Sequence, residues 1–148
     1  MPKYSAPAAH PDAWVDITRA YITAAVEALR DGGLTAGPSW LDPRNPRDAT
    51  IIFADPASNV SGQELALVWD EVTGWRQGRF QSGQQGQRTV LSDASYLGGG
   101  PLPAVREMTA RLRAGISAPR REYRSYTDTR DGLDDALQAL GGALQEQN

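Results

Sequence analysis

The stretch ELALVWDEVTGWRQGRF, residues 64–80, decides the fold of this 148-residue chain. Large apolar residues alternate with smaller ones from Leu65 to Trp69, and a period of two is typical of a β-strand. After Asp70 come residues that favour turns, with Gly74 placed for a left-handed conformation. The segment WRQGRF at 75–80 then returns as a second strand. The stretch therefore predicts a β-hairpin with a loop of about four residues.

Two further segments flank this hairpin. The run TIIFA at 50–54 is β-branched and apolar, and RTVLS at 88–92 follows a polar turn. Both are typical of short strands. Residues 33–48 contain three prolines, so we expect them to form an irregular loop. The sequence thus predicts three to four antiparallel strands.

Helical periodicity frames these strands on both sides. Residues 12–31 carry a wide apolar stripe that includes Ala24 and Ala28, with Asp12 as the expected N-cap. Shorter stripes predict helices over about 103–114 and 130–146. Strands grouped between helices favour an α+β fold of two layers, with an N-terminal helix, an antiparallel sheet and C-terminal helices packed on one face. We divide the chain into a flexible leader (1–11), an α+β domain (12–114), a connector rich in Arg and Tyr (115–130) and a C-terminal amphipathic helix (131–148).

The composition excludes several classes of function. The chain has no cysteine, its single histidine is His10 and its single lysine is Lys3, both in the leader. A zinc–cysteine site, a thiolate nucleophile or a histidine-based triad in the folded part is therefore excluded. We expect no metal and no cofactor, and the composition favours a non-enzymatic protein over an enzyme. With no apolar run near 18 residues and no signal-like leader, we expect a cytoplasmic protein with no membrane association. The 14 arginines among 15 basic residues suggest a bacterial, GC-rich genome.

Two stretches also carry a family resemblance. The segments LALVWDEVTGWRQG (65–78) and VLSDASYLGGGPLPAVREMTARL (90–112) resemble an uncharacterised domain family common in actinobacteria. Members resemble this chain in a leading helix, a tryptophan-flanked WDE hairpin and a YLGGG-Pro turn into a helix. The resemblance covers about residues 12–114 and leaves 115–148 as an extension. It implies a fold, and no catalytic residue.

Three sets of residues are candidates for a site. Tryptophans are able to line a small-ligand pocket, although in a small domain they more often fill the core. The pocket candidates are Trp40, Trp69 and Trp75. The adjacent acids Asp70 and Glu71 offer general acid–base chemistry if one is buried, but acids in a tight turn are usually solvated.

The connector is the second candidate. Residues 104–130 hold seven arginines and three acidic residues, a net charge of +4, beside an acidic segment at 131–148. Arginines interleaved with aromatic residues suit a nucleic-acid backbone and its bases. Pairing with the neighbouring acids, within one chain or between two, is the alternative. The nucleic-acid candidates are Arg120, Arg121, Tyr123 and Arg124.

The third candidate is the apolar stripe of the last helix, which must be buried on its own domain, on a second copy or on another protein. Its residues are Leu133, Leu137, Leu140 and Leu144. Because the sequence shows nothing to cover this stripe, we expect a non-enzymatic protein-interaction or regulatory module that is a homodimer. Two alternatives stay open: a nucleic-acid-associated regulator that uses the connector arginines, and a small-ligand pocket or enzyme that uses Trp and Asp residues.

Overall fold

The structure, a computed structural model, describes residues 6–42, 46–54, 64–84, 87–128 and 130–146. Within these ranges the chain forms four helices and five strands. Their bounds are α1 (Ala13–Asp16), α2 (Arg19–Asp31), β1 (Thr35–Leu41), β2 (Asp48–Ala54), β3 (Leu65–Asp70), β4 (Gly74–Gln84), β5 (Gln87–Tyr96), α3 (Val105–Arg113) and α4 (Leu133–Glu146). The five strands form one antiparallel sheet in the order β1-β2-β3-β4-β5. The predicted α+β fold is confirmed, and the strand count exceeds the expected three to four.

The additional strand is β1, which lies in the segment that we expected to be a loop. Pro38 is compatible with it because β1 is an edge strand that pairs only with β2, and an edge tolerates a residue without an N–H. The register between the two strands shifts between Ala36 and Ser39, on either side of the proline. Proline content alone therefore gave the wrong prediction for residues 35–41.

The predicted first helix is broken near its start. Asp12 caps it as expected, since its Oδ1 accepts a hydrogen bond from the Trp14 N–H at 3.0 Å. At Thr18 both the N–H and the hydroxyl bond to the carbonyl of Val15, at 3.0 and 2.7 Å. This tight turn interrupts the helix because the threonine side chain competes for a backbone acceptor. The result is the short α1 followed by α2.

An aromatic cluster lies between the sheet and α2. The ring of Tyr21 is 5.7 Å from Trp69 and 5.9 Å from Trp75, and all three side chains are buried. Leu67 also belongs to this core, so the face of β3 that carries Leu67 and Trp69 is the one that the helices cover. Helices α3 and α4 both pack beside α2, which places them on the same side of the sheet.

The long β4–β5 hairpin curls over the opposite face of the sheet. The hydroxyls of Thr50 on β2 and Thr89 on β5 are 2.6 Å apart, although the two strands are not neighbours in the sheet. The ring of Trp40 on β1 likewise meets Phe80 on β4 at 6.1 Å. Register shifts along β4–β5 increase the local twist and allow this curl. Both faces of the central strands are therefore covered.

Candidate functional site

Asp70 in the WDE hairpin organises the turn between β3 and β4. Its Oδ1 accepts hydrogen bonds from the N–H groups of Val72 and Thr73 at 2.8 and 2.6 Å. Its Oδ2 accepts a bond from Arg76 at 3.0 Å. An aspartate that bonds the backbone two and three residues ahead is a standard means of closing a turn. The role that the structure gives Asp70 is therefore structural.

Glu71, the next residue, is the centre of a buried ion network. Its side chain is 1% exposed. Its Oε2 accepts bonds from the backbone N–H and the Nε of Arg47, at 2.6 and 3.1 Å. Its Oε1 accepts bonds from Arg47 Nη2 and Arg124 Nη1, both at 2.7 Å. These four bonds to the carboxylate thus come from two arginines that are distant from Glu71 in sequence.

Arg47 carries the network from the hairpin turn to the N- and C-terminal helices. It is fully buried, and its guanidinium lies 4.3 Å from the centroid of the Trp14 ring. It also donates to Asp134 at the start of α4, at 2.7 Å. Burial acts to lower the pKa of Arg47, but the bonds to Glu71 and Asp134 outweigh it and raise that pKa. The arginine therefore stays charged in the interior, paired on two sides.

The connector arginines fall into two groups. Arg124 is 6% exposed and is held by Glu71 and by Asp131, and its hydrogen bond to Asp131 lowers the pKa of that carboxyl group. Arg120 and Arg121 are exposed: Arg120 pairs with Glu122 at 3.1 Å, and Arg121 lies 5.5 Å from the ring centroid of Tyr123. Arg124 is thus used within the chain. The nucleic-acid role of this segment stays a prediction that rests on the exposed pair.

The leucine stripe of the last helix packs on the chain's own core. Leu133 and Leu137 are 7% and 0% exposed, and Leu140 packs against the same core. The fourth member, Leu144, lies outside the residues whose side chains the structure describes. Because α4 buries these leucines within the chain, they do not offer an open surface to a partner in this arrangement. The leucine stripe therefore no longer supports the expected homodimer, which would have to form through another surface.

The three candidate tryptophans do not line one pocket. Trp69 donates its Nε1–H to the carbonyl of Pro101 at 2.7 Å, and Trp75 donates to the Tyr21 hydroxyl at 3.0 Å. The Tyr21 hydroxyl in turn donates to the Pro103 carbonyl. These bonds dock the YLGGG-Pro turn against the WDE hairpin. Trp40 lies on the opposite face of the sheet, beside Phe80.

A row of aspartates that the sequence did not indicate lies at one end of the sheet. Asp42 follows β1 and Asp48 begins β2, and the backbone N–H of Asp42 donates to the backbone carbonyl of Asp48 at 2.8 Å. In the register of β2 and β3, Asp48 lies opposite Asp70. Arg88 from β5 pairs with Asp48 at 2.7 Å. Within the described ranges, the buried side-chain atoms that lack a hydrogen-bond partner are Trp40 Nε1, Asp42 Oδ1 and Asp48 Oδ1.

The two facing carboxyl groups have unequal acidities. Burial, reinforced by the charge of Asp48, raises the pKa of Asp42 to about 8. The Trp40 indole acts in the opposite direction, although its N–H does not reach hydrogen-bond geometry with Asp42. Burial also raises the pKa of Asp48, but Arg88 opposes it and the value is about 6. At neutral pH Asp42 is therefore mainly protonated and Asp48 mainly ionised.

This difference predicts a pH-dependent stability. A carboxyl whose pKa is higher in the folded state binds more protons there, so the unfolding free energy falls as the pH rises from about 4 to about 8. The slope approaches about 1.4 kcal/mol per pH unit for one such group. Thermal unfolding between pH 5 and 8 should show the melting temperature falling, and Asp42→Asn should flatten the decline. If the melting temperature fell equally steeply with pH in the wild type, in Asp42→Asn and in the exposed control Asp93→Asn, the raised pKa of Asp42 would be contradicted.

A groove between α2 and α3 is the second feature that sequence reasoning missed. It has a volume of about 520 Å3, and its floor consists of small residues that are mostly apolar. Its acidic side is formed by Glu27 and Asp31 on α2, and its basic side by Arg106 and Arg113 on α3. The floor residues are Ala24, Ala28, Val105, Thr109 and Ala110. The two α2 alanines, expected in the buried stripe, are only half-buried. The sequence did carry a signal for this groove, because residues spaced three and four apart lie on one side of a helix. These residues are Ala24, Glu27, Ala28 and Asp31.

One comparison with known proteins gives a match. The model of a family of unknown function, DUF6292, matches residues 21–114. The match ends where the resemblance in the sequence implied, at the end of the α+β domain, and it begins later than residue 12. No curated protein and no solved structure matches the chain.

Two features are absent from the described part of the chain. There, no three side chains of His, Asp or Glu are grouped so that they would hold a metal ion. No helix within the same ranges is long and apolar enough to cross a bilayer.

Proposed function

Because the chain belongs to DUF6292, a family of unknown function, we propose a function from its geometry: a non-enzymatic protein-interaction module that forms a homodimer through the groove between α2 and α3. The observation that carries this proposal is the separation of charge across the groove, with acidic residues on α2 and basic residues on α3. A bacterial, cytoplasmic setting belongs to the same proposal and rests on the composition alone.

The sheet offers poor alternatives to this groove. Both of its edge strands carry features that oppose the addition of another strand. Pro38 and a register shift interrupt β1, while β5 carries several shifts, the charged Arg88 and Asp93, and a positive φ at Asp93. The face of the sheet opposite the helices is covered by the β4–β5 hairpin. A protein partner is therefore more readily accommodated on the helices.

The groove has the geometry of half a four-helix bundle. Helices α2 and α3 run parallel, since Tyr21 bonds the carbonyl of Pro103 near their first turns and Arg113 bonds that of Gly32 near their last. Alanines on the floor permit close approach of two further helices. In bundles of this kind, charged residues beside an apolar seam determine which helices pair.

The distribution of charge selects one symmetry for the dimer. A two-fold axis along the groove places α2 of each copy over α3 of the other at the same height, so that Asp31 near the end of α2 faces Arg113 near the end of α3 in the second copy. An axis across the groove would instead place α2 on α2 and α3 on α3, and like charges would meet. The first arrangement is self-complementary, so we propose it as the mode of self-association.

The titratable groups support a non-enzymatic reading. Asp70 and Glu71 are fully used in turn and network bonds, and Asp42 and Asp48 are 0% and 4% exposed. Catalysis needs an acid or base within reach of a substrate. These carboxyl groups offer a substrate no direct access.

Sedimentation velocity tests the proposal. The wild-type protein should sediment as a dimer, with a mass about twice the 16.0 kDa of one chain. Ala28→Glu places a carboxylate in the groove and should yield a folded species of single-chain mass, because burying an unpaired charge opposes association. The matched control, Ala139→Glu, makes the same change at an exposed position of α4 and should remain dimeric. A wild-type chain of single mass at 100 μM would overturn the proposal.

A second candidate function, nucleic-acid binding, is favoured by one observation. Arg120 and Tyr123 line a groove of about 540 Å3 along the hairpin turn, and the exposed Arg121 lies beside the Tyr123 ring. If this surface binds nucleic acid, affinity for a single-stranded oligonucleotide should fall steeply with salt. Changing Arg120 and Arg121 together to Ala should then remove binding, while the variant should keep the oligomeric state of the wild type.

A further inference from the structure

The segment after residue 114 docks on the domain in the manner of a bound peptide. Beyond the bonds that end α3, its backbone bonds to the sheet through the Ala118 N–H, which donates to the Tyr96 carbonyl at 2.7 Å, and the Tyr123 N–H, which donates to the Val72 carbonyl at 2.8 Å. Its charged contacts are the Arg124–Glu71 and Asp134–Arg47 pairs, each with an N···O distance of 2.7 Å. The domain-side partners of these contacts all precede residue 114, where the family match ends.

The contacts define a chemical pattern on α4. Asp134 in its first turn meets a fully buried arginine, Arg47, and acidic residues also suit the positive end of a helix. Leu133 and Leu137, four residues apart and so on one face, enter the core. The pattern read by the domain is therefore Leu-Asp-x-x-Leu, with a basic residue upstream for Glu71.

We propose that the α+β domain carries a recognition site for an amphipathic helix with an acidic first turn, and that the chain's own C-terminal segment occupies this site in cis. The partner that the site fits in trans is a helix of the same pattern on another protein. None of the residues named in this site belongs to the α2–α3 groove, so the inference does not depend on the proposed dimer.

Features of the segment make its displacement feasible. Gly141 and Gly142 lower the helix propensity of α4, and an isolated helix of 14 residues is marginal in water. The connector between α3 and α4 contains no regular element in its described residues. Attachment to the same chain supplies the segment at a high effective concentration, which favours the cis-bound state over a free competitor. Release of α4 should therefore expose the site to a helix in trans.

The test uses full-length chains and a fluorescent peptide with the sequence of residues 119–146. Leu137→Asp undocks α4, because a carboxylate is not accommodated at a position that is 0% exposed, while the domain side of the site is unchanged. Peptide anisotropy should show affinity for this variant at least about tenfold tighter than for the wild type. The control Gln138→Asp, at an exposed position of α4, should behave as wild type. A peptide that itself carries Leu137→Asp should not bind.

The milder variant Asp134→Ala keeps the proposal falsifiable if Leu137→Asp does not fold. It removes one carboxylate from Arg47 and should also increase peptide affinity, by several-fold. A folded Leu137→Asp chain that binds the peptide no better than wild type would overturn the proposal. So would the loss of folding in both variants, since α4 would then be an integral part of the core. The mass of each sample, measured in parallel, reports separately on the proposed dimer.

Discussion

Replacing Glu71 with Gln is expected to lower the free energy of unfolding by about 3–5 kcal/mol, because it leaves a buried charge without its partner. Arg47 is 0% exposed and would keep only Asp134 as a charged partner, and Arg124 would keep only Asp131. A loss of this size is a large fraction of the stability of a small domain. Urea unfolding followed by tryptophan fluorescence should show the midpoint falling sharply or the chain unfolded without urea.

Glu122→Gln is the matched control for this experiment. It makes the same chemical change at an acid that is 61% exposed and paired with an arginine that is 57% exposed. Exposed pairs of this kind contribute about 0–1 kcal/mol, so the midpoint should scarcely move. Similar losses in the two variants would show that burial of the Glu71 network does not decide the stability of this turn.

Trp69→Ala is expected to have an effect of the same order, about 3–5 kcal/mol, for a different reason. The substitution leaves a cavity beside Tyr21 and removes the indole bond to the Pro101 carbonyl, which docks the turn before α3. The melting temperature and the urea midpoint should both fall. Tyr126→Ala, which truncates an aromatic ring that is 41% exposed, is the control. A Trp69→Ala chain with the wild-type midpoint would contradict the packing described for this face.

Much of the fold could be predicted because its central signals are local. The alternation from Leu65 to Trp69 and the turn before Gly74 specify the hairpin, and helical spacing specifies α2 and α3. The same alternation puts Leu67 and Trp69 on one face of β3, and this is the face on which Tyr21 packs. Strand β1 could not be found in this way, because its pairing with β2 supplies what its proline-containing sequence lacks.

The candidate sites were harder to predict because their residues are distant in sequence. Glu71 is 24 residues from Arg47 and 53 from Arg124, and an acid in a tight turn is usually solvated. Only the folded chain shows that the turn is buried. The Asp42–Asp48 pair was missed for a related reason, since it depends on the pairing of a strand that the sequence did not predict.

The proposed dimer is tested most directly by mixing two charge-reversed chains. Asp31→Arg and Arg113→Glu each place like charges opposite each other between the two copies, and a two-fold axis doubles each change, so each variant alone should have the mass of a single chain. In an equimolar mixture the reversed charges face each other, and the mass should return to twice 16.0 kDa. Two variants that remain dimeric alone, or a mixture that stays at the single-chain mass, would contradict self-association through the α2–α3 groove.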